Sequence, residues 1–260
     1  RRKKKILRKY RRCVRAWKKA EVKLIEFVFN GMFVTVVGEG ESLLFLPGFL
    51  CGKEIFEKQI TYFSRYYKVI APSLPGFGGS KTDGEMTIGD YAEKVSSLIE
   101  EYSDGKVNIV AHSFGARVVL KMLPDERIGK IVITGGAGLK PKRKLSYYFK
   151  ILKHKIKRKL GLDVTNDGSA DYKLLPDEMK KTFVNVVNEH LDYKLKEIDN
   201  NTLLLWGEKD TETPLYMAER FKKGLKSSEL VTLKNAGHFV FLDCPSTFNF
   251  LVKDFLQNDG

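Results

Sequence analysis

The stretch VNIVAHSFGARVVLKML, residues 107 to 123, passes from an unbroken apolar run straight into apolar residues at helical spacing. Val107 to His112 reads as a strand buried on both faces, while Phe114, Val118, Val119 and Met122 place an apolar stripe along a helix. No residue is left over for a loop at the join Ala111-His112-Ser113-Phe114-Gly115. Ser113 must therefore occupy a tight turn, with the small residues Ala111 and Gly115 letting the strand and helix backbones approach. Such a turn lifts the hydroxyl clear of the sheet and aims the first helical amides at any negative charge that develops beside it.

Working outward, further strand-like runs alternate with helix-like ones. VKLIEFVF (22 to 29) and MFVTVVG (32 to 38) flank Asn30-Gly31, a two-residue hairpin signal. LLFLPG (43 to 48), KVIAPS (68 to 73), GKIVITGG (129 to 136), TLLLWG (202 to 207) and ELVTLKN (229 to 235) complete the strands. Helical patterns fall at about 53 to 66, 88 to 102, 114 to 123, 214 to 226 and 245 to 257. The reading is an α/β fold, a mostly parallel doubly wound sheet that begins with an antiparallel hairpin.

One segment interrupts the alternation. About 65 residues between Gly136 and Thr202 carry helical patterns and no strand, too long for an ordinary connection. The expectation is a helical cap over the C-terminal edge of the sheet, where open α/β folds bind ligands. The expected domains are a basic N-terminal helix or arm (1–21), a core (22–138 and 200–260) and the cap (139–199).

The 260 residues are 43% hydrophobic and 30% charged, with no apolar run long enough to span a bilayer. Cys13, Cys51 and Cys244 are widely spaced and form no Cys-x-x-Cys pair, so neither a disulfide framework nor a zinc site is expected. The net charge of +14 resides in two segments. Residues 1 to 23 carry thirteen Lys or Arg against Glu21, and residues 139 to 162 carry ten and no acid, which leaves the rest of the chain acidic. No zinc spacing or aromatic RNA-binding signature accompanies the basic residues, so nucleic acid is not an expected partner. Both basic segments have an apolar side, and the expectation is peripheral contact with an anionic membrane through residues 1 to 20 and the cap. The expected location is cytoplasmic, at the inner membrane face; oligomeric state is not legible.

A serine hydroxyl needs a base and an orienting acid. His238 stands in Asn235-Ala236-Gly237-His238, just past the last strand, and Asp210 stands in Trp206-Gly207-Glu208-Lys209-Asp210, just past the strand before it. Serine, acid and histidine in that order, each after a different strand, come to one edge of such a sheet. Glu208 is the competing acid.

The segments LPGF (46–49), APSLPGFGGS (71–80), AHSFG (111–115), LLLWGEKD (203–210) and NAGHFVFLD (235–243) resemble, in order and spacing, the capped serine-hydrolase branch of the α/β-hydrolase superfamily. The resemblance covers residues 22 to 258 and is specific for the fold and the triad, not for the substrate. It implies Ser113 as nucleophile, His238 as general base and acid, and Asp210 rather than Glu208 as the carboxylate. It also implies an oxyanion hole made by the amides of Phe49 and Phe114. Pro47-Gly48 replaces the family's usual His-Gly, and Ser73 stands where many members have Asp, which bears on loop anchoring rather than catalysis. A serine nucleophile argues against epoxide and alkyl-halide chemistry.

The remaining candidates read as structural. His112 reads as a packed residue, Cys51 as buried filler, His154 and His190 as surface residues of the cap, and Asp243 as the cap of the helix that opens at Pro245. The expected function is hydrolysis of a small or medium ester, thioester, lactone or amide through an acyl-enzyme on Ser113, with no cofactor and no metal. Carbon–carbon hydrolysis or aminopeptidase activity on the same fold is the alternative, Glu178, Asp171 and Glu189 being the acids that could hold a free amine. A non-catalytic binding protein of this fold is the contrasting class.

Overall fold

The computed structural model describes residues 24–82, 84–142, 172–173 and 175–258. The expected N-terminal arm and most of the basic stretch of the cap, with His154 and Asp171, lie outside them.

Eight strands form one sheet: β1 (Leu24–Phe29), β2 (Met32–Val37), β3 (Ser42–Leu46), β4 (Lys68–Ser73), β5 (Val107–His112), β6 (Ile128–Thr134), β7 (Thr202–Gly207) and β8 (Ser228–Leu233). Their order is β1-β2-β4-β3-β5-β6-β7-β8. The first two pairings, β1 with β2 and β2 with β4, are antiparallel, and the others are parallel. The opening hairpin turns at Asn30 (φ 47°) and Gly31 (φ 81°), the two left-handed positions that an Asn-Gly turn supplies.

Around the sheet lie α1 (Glu57–Phe63), α2 (Ile88–Tyr102), α3 (Phe114–Met122), α4 (Asp177–Asn188), α5 (Leu215–Gly224), α6 (Val240–Asp243) and α7 (Pro245–Gln257). Helix α2 opens on a capping box in which Thr87 and Asp90 satisfy each other's backbone amides. The helical pattern read over 53 to 66 resolves into a 3-10 turn, Lys53–Phe56, followed by α1.

The continuous apolar runs have the meaning expected of them. Alternate side chains of each central strand enter different cores: Leu44, Ile109, Ile133 and Leu204 pack on one face, and Phe45, Val110, Val132 and Leu205 on the other. A strand covered on both faces has no polar side to show.

The described part of the long insertion includes α4, which lies across the C-terminal edge of the sheet. Phe183 meets Phe49 with ring centroids 5.3 Å apart. The buried Thr182 hydroxyl accepts a 2.9 Å hydrogen bond from the Met86 amide. Met179 sits so close over Gly76 that a Cβ there would come within 2.7 Å of its sulfur. Among the described residues no helix is long and apolar enough to cross a membrane.

Candidate active site

Ser113 caps α3 directly after β5, at φ 49° and ψ −108°. That conformation is strained for any residue with a Cβ. It is held by backbone bonds on both sides: the Ser113 amide donates to the Thr134 carbonyl at 3.1 Å, and the Ala137 amide donates to the Ser113 carbonyl at 3.0 Å. Gly115 is required by contact alone, since a Cβ there would lie 2.5 Å from the Leu46 carbonyl oxygen.

The loop after β3 supplies the facing wall. The Cys51 amide donates to the Gly48 carbonyl at 3.2 Å, closing a turn with Leu50 at φ 60°. A side chain at Gly48 would press on the His112 ring at 3.0 Å. The Phe114 amide, at the first position of α3, has no acceptor within the helix. Among the described residues neither it nor the Phe49 amide donates to another group. Behind this loop the buried Ser73 hydroxyl accepts from the Lys53 amide at 3.0 Å and so anchors the loop. The same Lys53 buries its ammonium 2.7 Å from Glu26.

Asp210 and His238 leave from the ends of β7 and β8. The His238 Nδ1 and Asp210 Oδ2 are 2.9 Å apart, and the Asp210 side chain is fully buried. Asp210 also accepts from the amides of Glu212 and Thr213 through Oδ1 and from the Thr213 hydroxyl through Oδ2, each at 2.9 Å. A carboxylate so surrounded only accepts, which fixes the His238 proton on Nδ1 and leaves Nε2 as the basic nitrogen. Burial pushes the Asp210 carboxyl up, but the hydrogen bonds from His238 and Thr213 outweigh it and hold the group below its ordinary value. Glu208 is exposed and takes no part.

Ser113, His238, Thr213, Phe49 and Phe114 line one cavity of about 380 Å3. Its apolar wall includes Phe183, Val186 and Val187 of α4. Phe49 joins three further rings, Phe77, Phe114 and Phe183, at centroid distances of 4.6 to 5.4 Å. Among the described residues no hydrogen bond joins the Ser113 hydroxyl to His238; such bonds commonly close only around substrate. A larger open recess at the opposite edge of the sheet, lined by Asp104, Asn108 and Asn200, holds none of these groups.

The neighbouring residues take defined roles. His112 is buried, and its Nδ1 lies 3.0 Å from the Thr134 carbonyl, the packed role expected of it. Burial pushes the Cys51 thiol up to about 11, so it is no thiolate nucleophile. His190, expected on the surface, is half-buried. Asp243 does not cap α7: its carboxylate accepts the Gly237 amide at 2.8 Å and ties down the loop that carries His238. Of the acids considered for holding an amine, Glu178 is exposed and Glu189 is paired with Lys121 at 2.6 Å, so neither reaches the cavity.

Among the lining residues that escaped the sequence reading are Thr213 and Arg117. Thr213 stands three residues after Asp210, a spacing at which acid and hydroxyl close a local turn, so its signal was available. Arg117 stands one helical turn after Ser113 and carried no local signal.

Comparison with known proteins gives a consistent picture. Residues 43–249 match the alpha/beta hydrolase family. The chain is 24% identical over 255 residues to the AB hydrolase superfamily protein YisY of Bacillus subtilis (strain 168), covering 86% of this chain and 94% of that one. It is 24% identical over 226 residues to 2-hydroxy-6-oxononadienedioate/2-hydroxy-6-oxononatrienedioate hydrolase 1 of Pseudomonas putida, covering 74% and 78%. The solved structure of an esterase from Exiguobacterium antarcticum superposes with a TM-score of 0.72 at 19% identity, covering 87% of this chain and 96% of that one, a likeness of fold.

Proposed function

Since the chain belongs to the alpha/beta hydrolase family, we propose that it is a serine hydrolase that cleaves a small or medium acyl substrate through an acyl-enzyme on Ser113. The observation that carries this reading is the shared cavity of Ser113 and His238, with Asp210 buried 2.9 Å behind the imidazole.

The chemistry follows from the atoms available. His238 Nε2 takes the proton of Ser113 Oγ as that oxygen adds to the substrate carbonyl carbon. The carbonyl oxygen becomes an oxyanion, and the unpartnered amides of Phe49 and Phe114 are the donors placed to hold it. The imidazolium so formed is stabilised by Asp210 and returns its proton to the leaving group as the carbon–heteroatom bond breaks. Water then repeats the sequence against the acyl-enzyme, giving the carboxylic acid and free Ser113. Thr213 keeps Asp210 from rotating, so the proton on His238 stays on Nδ1.

A second reading, hydrolysis of a carbon–carbon bond, is favoured by the relative named as a 2-hydroxy-6-oxononadienedioate hydrolase. The same nucleophile and base serve both reactions, so the reading turns on substrate. The test is a fluorophosphonate probe followed by substrate panels: p-nitrophenyl esters of rising chain length, vinylogous 1,5-diketones and aminopeptidase substrates. Labelling at Ser113 with ester turnover is expected. A folded protein that resists the probe while a known serine hydrolase reacts would instead be a binding protein of this fold.

A further inference from the structure

Arg117 is 9% exposed and lines the cavity that holds Ser113 and His238. Its guanidinium makes one hydrogen bond among the described residues, from Nη1 to the Glu189 carbonyl oxygen at 2.5 Å. That uses one of five donors. The other guanidinium nitrogens have no acceptor among the described residues, yet none is among the fully enclosed, unpartnered atoms. They therefore keep an accessible face, and the cavity is an open space that Arg117 borders.

The acids nearby act on it through space without hydrogen-bonding it. The Glu189 carboxylate is held by Lys121 at 2.6 Å, and the Asp192 carboxylate is held by Arg220 and by the Lys140 amide. Among the described residues three cations thus share two carboxylates, and Arg117, which feels Glu189 and Asp192 through space, hydrogen-bonds only a neutral carbonyl. The remaining acid on the cavity wall, Glu212, is exposed to solvent, where its charge is screened. Burial pushes the Arg117 guanidinium down to about 10, so it is charged at neutral pH. A buried guanidinium that no carboxylate hydrogen-bonds is costly, and an anion entering the cavity would relieve that cost.

We infer that Arg117 is a specificity-determining residue that binds a carboxylate of the substrate, selecting acyl compounds with an anionic group a few bonds from the scissile carbonyl. The span is short because Arg117 follows Ser113 by four residues, one helical turn of about 6 Å, and its side chain leans back toward the helix N-terminus. The apolar rings beside Phe49 then cover the uncharged part of the acyl chain. This inference rests on the hydrolase reading for its kinetics but not for its binding.

The experiment compares three esters: p-nitrophenyl butyrate, mono-p-nitrophenyl glutarate with the charge on the acyl side, and 4-carboxyphenyl butyrate with the charge on the leaving group. One anionic ester should exceed the neutral one at least tenfold in kcat/KM, and which one does so locates the carboxylate. In Arg117→Gln that ratio should fall at least tenfold, and Arg117→Lys should restore part of it. An unaltered ratio in Arg117→Gln, or no preference in the wild-type protein, overturns the inference. Calorimetry on wild-type protein supplies an arm free of turnover and of variant folding. Glutarate should bind at least tenfold more tightly than glutaramide. If it does while no ester is cleaved, the hydrolase reading fails and the anion site stands; if it does not, the anion site fails whatever the esters do.

Discussion

The imidazole of His112 packs against that of His238, with ring centroids 4.6 Å apart and planes inclined by 55°. Phe239 and Phe241 enclose the same ring at 4.8 and 5.1 Å. The residue before the nucleophile therefore forms the floor under the base, and it does so as a neutral ring whose Nδ1 proton goes to the Thr134 carbonyl. Thr134 joins both residues, because its carbonyl also accepts the Ser113 amide.

This arrangement makes stability depend on pH. Burial, followed by the charge of His238, pushes the His112 imidazole down to about 3 in the folded protein, whereas an unfolded histidine titrates near ~6.5. Between those values the unfolded chain binds the extra proton, so stability is full above about pH 6.5 and declines as pH drops, by roughly 1.4 kcal/mol per unit. Urea unfolding should show a loss of ~2 kcal/mol between pH 7 and pH 5. His112→Asn should be less stable at pH 7 but show a flatter profile; equal slopes would assign the effect to other groups.

Removal of the triad groups should act as removal of a unit. Ser113→Ala should abolish turnover without unfolding, His238→Ala should lose a similar amount, and the double variant should lose little more. Asp210→Asn should cost less, though still ~10⁴-fold in kcat by analogy with other triads. Glu208→Gln should be near wild type. A large loss in Glu208→Gln with none in Asp210→Asn would exchange their roles.

Gly115→Ala tests the turn by steric means. The new methyl would meet the Leu46 carbonyl at 2.5 Å, and overpacking of that kind costs ~1–3 kcal/mol. Because the displaced backbone carries the Phe114 amide, kcat should fall more than stability does. Retention of full activity would show that the turn tolerates a wider strand-to-helix crossing.

Asp243→Ala should act on the His238 loop. The substitution removes the acceptor of the Gly237 amide, a charge-assisted bond worth ~1.5–3 kcal/mol where it is well shielded and less at this exposed position. The expected result is a tenfold decrease in kcat with fluorophosphonate still labelling Ser113, and a normal rate would reduce Asp243 to a surface residue.

The rate itself should rise with pH to a plateau, because the base must be neutral to take the Ser113 proton and no second essential acid is needed in the free enzyme. A falling limb below pH 9 in kcat/KM would indicate a further acid and favour peptidase or carbon–carbon chemistry.

The sequence by itself determined the elements that depend on local chain chemistry. All eight strands were legible, the central ones because side chains buried on both faces leave no polar period, and the Asn30-Gly31 hairpin because only such residues enter two left-handed positions cheaply. Ser113 was legible because a strand ran into a helix with no residue to spare. His238 and Asp210 were placed by their positions just past neighbouring strands, with the resemblance choosing Asp210 over Glu208, and their 2.9 Å approach belongs to the fold.

Only the tertiary structure decided the relations between loops that are distant in sequence. Asp210 turns inward and Glu208 outward although only Lys209 separates them, since the Thr213 turn captures one carboxylate. Asp243 faces back to Gly237 instead of forward to α7. Among the described residues Arg117 hydrogen-bonds a single carbonyl, while its acidic neighbours bond Lys121 and Arg220, residues of α3 and α5. Which charges find partners depends on how helices far apart in the chain pack side by side, and no local pattern of residues encodes that competition.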